Sequence, residues 1–130
     1  MPNKSLSREF QIAQLALKHA RDAKETLDKN AWNSYVSLVK GFGSKVANSG
    51  LLGAMSFLLA KSKKATEHRK LFDQIVELLR EVDGVKFPEG VMGVIDKLIA
   101  PDSVTDYMRW QLVTLEYLSY LRRYASAISD

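Results

Sequence analysis

The sequence has no cysteine, only two histidines and only three prolines. Without cysteine there can be no disulfide, no thiolate nucleophile and no cysteine-based metal site, and the absence suits a reducing compartment. His19 and His68 are far apart, and neither has a second histidine or a glutamate at the helical spacing of metal ligands. We therefore predict no metal site and no cofactor.

Long apolar runs are also absent. The longest covers residues 51–60 and is interrupted by Gly53 and Ser56, whereas a membrane-spanning helix needs about 20 apolar residues. Residues 1–11 are polar and lack the apolar centre of a secretory signal. We predict a cytoplasmic protein with no membrane association.

Motifs for catalysis are missing as well. Gly41-x-Gly43 has neither a third glycine nor a preceding strand, and residues 43–45 lack the glycine-spaced segment of a phosphate loop. Glu77 and Glu81 share a helix face but have a basic neighbour, which is typical of a solvated surface. The sequence therefore predicts no catalytic residues and no enzyme.

Apolar residues follow helical periodicity along much of the chain. No proline lies between residues 4 and 87, and apolar residues recur at steps of three and four. With 130 residues, 46% of them apolar and 26% charged, the chain has the size and composition of one globular domain. We predict a single all-α domain over residues 1–130, a compact bundle of about five to six helices.

The ends of these helices can be predicted from capping and turn residues. The first helix is expected over about 7–29, and the later ones over 91–99 and 104–128. A bend is expected near Gly41, a turn at 48–50, and a buried central helix over 51–60. Thr66 and Ser103 are the predicted N-caps of the following helices, and Gly84 is a predicted helix end.

The charges are unevenly distributed. Residues 40–70, the basic segment, contain seven Lys or Arg against one Glu, a balance of +6, whereas residues 71–108, the acidic segment, contain three against eight, a balance of −5. This asymmetry favours one surface that faces a polyanion and another that meets a basic neighbour. In sequence, no aromatic residues are interleaved with Lys61, Lys63 and Lys64.

The last predicted helix has apolar residues over most of its circumference. Its aromatic positions Trp110, Tyr117 and Tyr124 follow helical spacing. A helix of this kind is either central to its own core or shared with a neighbouring protein. We predict these three residues as interface residues.

Two stretches resemble a known family. One is 35–61, with Tyr35-Val36-Ser37-Leu38-Val39-Lys40, then Gly50-Leu51 and Ser56-Phe57; the other is 107–125, which contains Glu116-Tyr117 and Leu121-Arg122-Arg123-Tyr124-Ala125. Their order and spacing resemble the small subunit of the type III-B, Cmr-type CRISPR effector complex.

This resemblance implies a non-catalytic scaffold subunit that stacks with copies of itself along guide RNA and target RNA, in contact with other Cmr subunits, in antiviral defence. On the pattern of that family, the predicted RNA-binding residues are Lys40, Lys45, Arg109, Arg122 and Arg123. Charge alone adds Lys61, Lys63 and Lys64. The alternative hypothesis is a helical protein-interaction module without nucleic-acid contact.

Overall fold

The computed structural model describes residues 4–129, and their side chains from Ser7 onward. These residues form five α-helices connected by short segments. The helices are α1 (Lys4–Thr26), α2 (Lys29–Lys61), α3 (Thr66–Asp83), α4 (Val91–Ile99) and α5 (Val104–Ile128). The predicted all-α bundle is confirmed, and α4 and α5 have the predicted bounds.

The boundary between α1 and α2 lies earlier than predicted. We expected the first helix to reach about Lys29, but α1 ends at Thr26. Asp28 is in an extended conformation, and its carboxylate accepts a hydrogen bond of 2.8 Å from the Ala31 amide. Because this caps the first turn of the next helix, the chain starts α2 at Lys29.

The bend in α2 lies at Gly50, the last residue of the turn predicted at 48–50, and the prediction of a bend near Gly41 is wrong. Gly41 lies within the regular helix, whereas Gly50 has φ 77° and ψ 165°, a conformation that side-chain-bearing residues rarely adopt. The two amides that follow donate hydrogen bonds to side chains of α5. Leu51 N donates to Gln111 Oε1 at 2.9 Å and Leu52 N donates to Tyr107 Oη at 2.9 Å.

Of the three predicted caps, two are confirmed and one is wrong. Gly84 ends α3 in the left-handed conformation, and the Ser103 hydroxyl accepts from Asp106 N at 3.0 Å, as predicted. Thr66 is not an N-cap, because α3 already begins there. The capping position belongs to Ala65, which has no side chain able to bond the free amides.

Helices α1, α2, α3 and α5 enclose the core. Helix α1 packs along α5, and α2 packs between α3 and α5, with α4 against α2. The largest fully buried side chains come from all five helices: Tyr35, Tyr117, Phe72, Ile12, Leu51, Met55, Leu58, Leu71, Ile75, Leu78, Leu79 and Leu98. The predicted burial of 51–60 holds for Leu51, Ala54, Met55 and Leu58, but Phe57 stays half-buried at the edge.

A hydrogen-bonded chain of polar side chains crosses this core. Tyr117 Oη donates to His19 Nδ1 at 2.6 Å, and His19 Nε2 donates to Glu77 Oε2 at 2.5 Å. Gln74 donates to the His19 carbonyl at 3.0 Å and accepts from Tyr35 Oη at 2.6 Å. The network joins α1, α2, α3 and α5 and satisfies polar groups that burial would otherwise penalise.

Burial sets the protonation states in this network. Desolvation lowers the pKa of His19 below its usual 6.5, although the hydrogen bond with Glu77 opposes that shift. Burial would raise the pKa of Glu77, but the hydrogen bond from His19 and the charge of Lys18 outweigh it and lower that pKa. Near neutral pH a neutral imidazole therefore donates to an ionised carboxylate.

We predict that Gly50→Ala lowers the free energy of unfolding by about 1–3 kcal/mol, because alanine is strained at this φ and ψ. Its Cβ would also lie 3.3 Å from Tyr107 Oη. Chemical denaturation measures the change.

The matched control for this substitution is Gly41→Ala. A Cβ at Gly41 meets no atom within 4 Å and the position is helical, so the same change there should stabilise the protein by about 0.5–1 kcal/mol. Equal effects at both positions would contradict the assignment of the bend to Gly50.

We predict that the free energy of unfolding falls as the pH is lowered from about 7 to about 5. The folded-state pKa of His19 lies below 6.5, so the unfolded chain takes up the proton first and is stabilised by it. The lowered pKa of Glu77 adds a further loss as the pH approaches and passes below 4.5.

Denaturation of His19→Gln at several pH values tests this assignment, since the decrease between pH 7 and 5 should become shallower. The comparison variant is His68→Gln, which removes the second histidine and leaves His19 in place. If the decrease in the free energy of unfolding between pH 7 and 5 becomes shallower in His68→Gln and not in His19→Gln, the role of His19 is refuted.

Candidate nucleic-acid interface

The first part of α2 runs antiparallel to α5 and carries basic residues along their junction. Lys40 and Arg122 line a depression of about 180 Å³ together with Ser44 and Ser119. They also line an adjoining depression of about 360 Å³ with Arg123. We call these two depressions the α2–α5 groove. It brings together three of the predicted RNA-binding residues, Lys40 of α2 with Arg122 and Arg123 of α5. In the sequence Lys40 is at least 82 positions away from the two arginines.

Helical spacing explains how this groove forms. Lys40 and Ser44 are four residues apart on α2, and Ser119, Arg122 and Ser126 follow steps of three and four on α5, so each set lies on one helix face. Lysine, arginine and serine side chains all donate hydrogen bonds, and the first two are charged. The groove is therefore suited to phosphate oxygens.

Most of the predicted RNA-binding cations are not neutralised within the chain. Among the described residues, no carboxylate lies within 4 Å of seven of them: Lys40, Lys45, Lys61, Lys63, Lys64, Arg122 and Arg123. All seven are exposed. The basic segment's other two cations differ, since Arg69 pairs with Asp73 at 3.0 Å and Lys70 with Asp22 at 2.6 Å.

Helix α2 also brings lysines to an aromatic pair that sequence reasoning missed. Lys45 Nζ lies 4.2 Å and Lys61 Nζ lies 5.7 Å from the centroid of the Phe57 ring. That ring stacks on His68, with centroids 5.6 Å apart and an angle of 24° between the planes. In an unbroken helix, Lys45 and Phe57 would be ~18 Å apart along the axis. No helical periodicity could have signalled the contact.

Arg109 lies apart from these cations. Its guanidinium is 3.0 Å from Asp106 and 3.7 Å from the buried Asp83, which also pairs with Arg8. Its charge is thus matched by two carboxylates. RNA contact by Arg109 stays a prediction, and the structure does not join it to the α2–α5 groove.

The three predicted interface residues are placed differently from one another. Trp110 and Tyr117 are 2% and 0% exposed and belong to the chain's own core, so neither has an exposed side chain with which to contact a partner. Tyr124 is half-buried and stacks on Tyr120, with centroids 6.1 Å apart.

Other apolar side chains of α5 face outward instead. Val104, Met108 and Leu112 are 77%, 47% and 62% exposed, and steps of four place them on one side of the helix. We call them the exposed stripe. The sequence did not indicate which face of α5 is exposed, because both faces are apolar. Only tertiary packing decides which one is covered.

The acidic segment is largely neutralised from within. Five of its carboxylates lie within 4 Å of a basic side chain: Asp73, Glu77, Asp83, Asp102 and Asp106. For Glu81, Glu89 and Asp96 the described residues provide no such partner. Most carboxylates of the acidic segment are therefore not free to meet a basic neighbour.

Metal and membrane features can be checked on the same residues. Within 4–129 there is no cluster of three or more His, Asp or Glu side chains placed to hold a metal ion. Over that range, no helix combines the length and the apolar character needed to cross a membrane.

Comparison with known proteins assigns the chain to a family. The profile of the family described as CRISPR-associated protein (Cas_Cmr5) matches residues 8–128. The protein named CRISPR system Cmr subunit Cmr5, from Thermotoga maritima, is 31% identical over 131 residues, which cover 95% of this chain and 84% of that relative. No solved structure matches significantly. The resemblance seen in 35–61 and 107–125 is confirmed, and the chain belongs to the Cas_Cmr5 family of CRISPR-associated proteins.

Proposed function

We propose that the chain is a non-catalytic small subunit of a Cmr-type CRISPR ribonucleoprotein that stacks along guide and target RNA and contacts their phosphate backbone. Membership of the family supports the assembly. The observation that carries the RNA contact is the set of seven exposed cations without a carboxylate partner among the described residues.

The chemistry of this contact is charge neutralisation. Lys40, Arg122 and Arg123 hold phosphate oxygens in the α2–α5 groove, and the hydroxyls of Ser44 and Ser119 donate further hydrogen bonds. Binding releases counterions from the RNA, so the affinity depends on salt. Phosphate contacts position the RNA, while base pairing between guide and target selects the sequence.

Assembly adds to the affinity that one small subunit has for RNA. Copies held in a row on the same RNA bind with a high effective concentration, so weak contacts add up to stable binding. The exposed stripe provides an apolar surface for a neighbouring Cmr subunit or a second copy.

We predict that the double substitution Lys40→Glu/Arg122→Glu weakens binding of single-stranded RNA. It places two carboxylates in the α2–α5 groove where two phosphate contacts are expected. The plot of log K against log salt concentration should lose about 1.4 of its slope, because each contact to a single strand contributes about 0.7. Fluorescence anisotropy over a salt series measures both the affinity and the slope.

A control of equal charge change is Arg21→Glu/Arg80→Glu. Both residues are exposed and lie outside the α2–α5 groove. This variant should keep most of the slope. If both double variants reduce the slope equally, binding depends on net charge alone and the groove has no special role. If wild-type protein shows no salt-dependent binding, the proposed RNA contact is wrong.

A second candidate function is a helical protein-interaction module without RNA contact. The exposed stripe favours it, because three large apolar side chains on one helix side are unusual on a surface without a partner.

We predict that Met108→Asp reduces recovery of other Cmr subunits with the tagged chain, corresponding to about a tenfold loss of affinity for a central interface residue. The control is Met92→Asp, since Met92 on α4 is exposed to a similar degree, 57% against 47%. Co-purification with and without ribonuclease gives the comparison. Association that resists ribonuclease, in a protein without RNA affinity, would select the second candidate.

A further inference from the structure

A shallow groove lies on the other flank of α2, where its first part meets the start of α3. It has a volume of about 540 Å³ and is widely open to solvent. We call it the α2–α3 groove. Its lining residues are Asn33, Ser34, Ser37, Leu38, Glu67 and His68.

The lining of this groove does not suit a phosphate. It includes the Glu67 carboxylate and neither lysine nor arginine, so a phosphate would be repelled there. The Asn33 amide both donates and accepts hydrogen bonds, and the hydroxyls of Ser34 and Ser37 do the same. Leu38 adds an apolar surface. Mixed donors and acceptors beside an apolar side chain match the edge and the face of a planar heterocycle.

Free cations lie immediately beside this groove. His68 lines the groove and also stacks on Phe57, the ring that Lys45 and Lys61 approach. His68 Nδ1 is buried and has no hydrogen-bond partner among the described residues, since Glu67 Oε1 is 3.7 Å away. The groove and the lysines therefore form one continuous surface, with a polar, anionic part next to a cationic part.

We propose that the α2–α3 groove binds one unpaired nucleobase of RNA, while Lys45 and Lys61 hold the adjacent phosphates. This inference rests on the proposed RNA contact and adds a base site to it. An unpaired base is required because hydrogen bonding to Asn33 or Glu67 needs a free base edge, which pairing would occupy.

The position of the groove is consistent with one RNA path across α2. Ser34, Leu38 and Lys45 are four and seven residues apart and share the flank that faces α3. Lys40 and Ser44 lie toward the flank that faces α5. The two flanks are separated by about one helix diameter, roughly 10–12 Å, so one strand can contact both grooves.

The test compares the affinity of the full-length protein for two ligands at low salt. One is a single-stranded oligouridylate, and the other is an abasic ribose-phosphate chain with the same number of phosphates. We expect wild-type protein to prefer the oligouridylate by at least about fivefold, as is usual for contact with one base. Fluorescence anisotropy measures both affinities.

The groove variant is Asn33→Ala/Ser34→Ala, which removes two exposed polar side chains from a helix and changes no charge. We expect its preference for bases to fall below about twofold with an unchanged salt slope. The matched control is Asn48→Ala/Ser49→Ala, the same pair of residue types, also exposed on α2 but outside the groove. It should keep the wild-type preference.

The other outcomes separate the two proposals. Salt-dependent binding with equal affinity for both ligands would overturn the base site and leave the phosphate contact standing. A preference for bases that persists in Asn33→Ala/Ser34→Ala would overturn the assignment of the base to this groove. Absence of any binding would overturn the proposed RNA contact, and the base site with it.

Discussion

The bend of α2 at Gly50 is the constraint on which the rest of the structure depends. A positive φ interrupts the helix, and the amides of Leu51 and Leu52 bond to Gln111 and Tyr107 of α5. This anchors the second part of α2 in the core and holds the first part antiparallel to α5. Because the chain changes direction there, Lys45 and Phe57 come into contact, and Lys40 lies beside Arg122.

Pairing of charges inside the fold decides which of them remain available to a ligand. Most carboxylates of the acidic segment are used by lysine, arginine or histidine of the same chain, so they stabilise the bundle or its surface. The cations of α2 and of the end of α5 have no such partners among the described residues. A weakly basic protein with a net charge of +4 thereby presents exposed cations on α2 and α5 that the described residues do not neutralise.

The buried polar network links helices across the core. His19, Glu77 and Tyr117 resemble components of a catalytic group, but each bonds to another member of the core network, and the histidine and tyrosine are almost completely buried. Burial keeps the imidazole neutral and the phenol protonated, since it lowers the pKa of His19 and raises that of Tyr117. These groups therefore specify how α1, α3 and α5 pack together.

The sequence by itself determined the helical class, the bounds of α4 and α5, the caps at Gly84 and Ser103, and the family, because local spacing and residue order carry that information. The candidate site could be predicted only as a set of basic residues. Only the tertiary structure decided that Lys40 joins Arg122, that Arg109 lies near Asp83, and that Trp110 and Tyr117 are buried. The physical reason is that charge pairing, burial and the contact of Lys45 with Phe57 depend on which helix faces meet, and helical periodicity does not encode that choice.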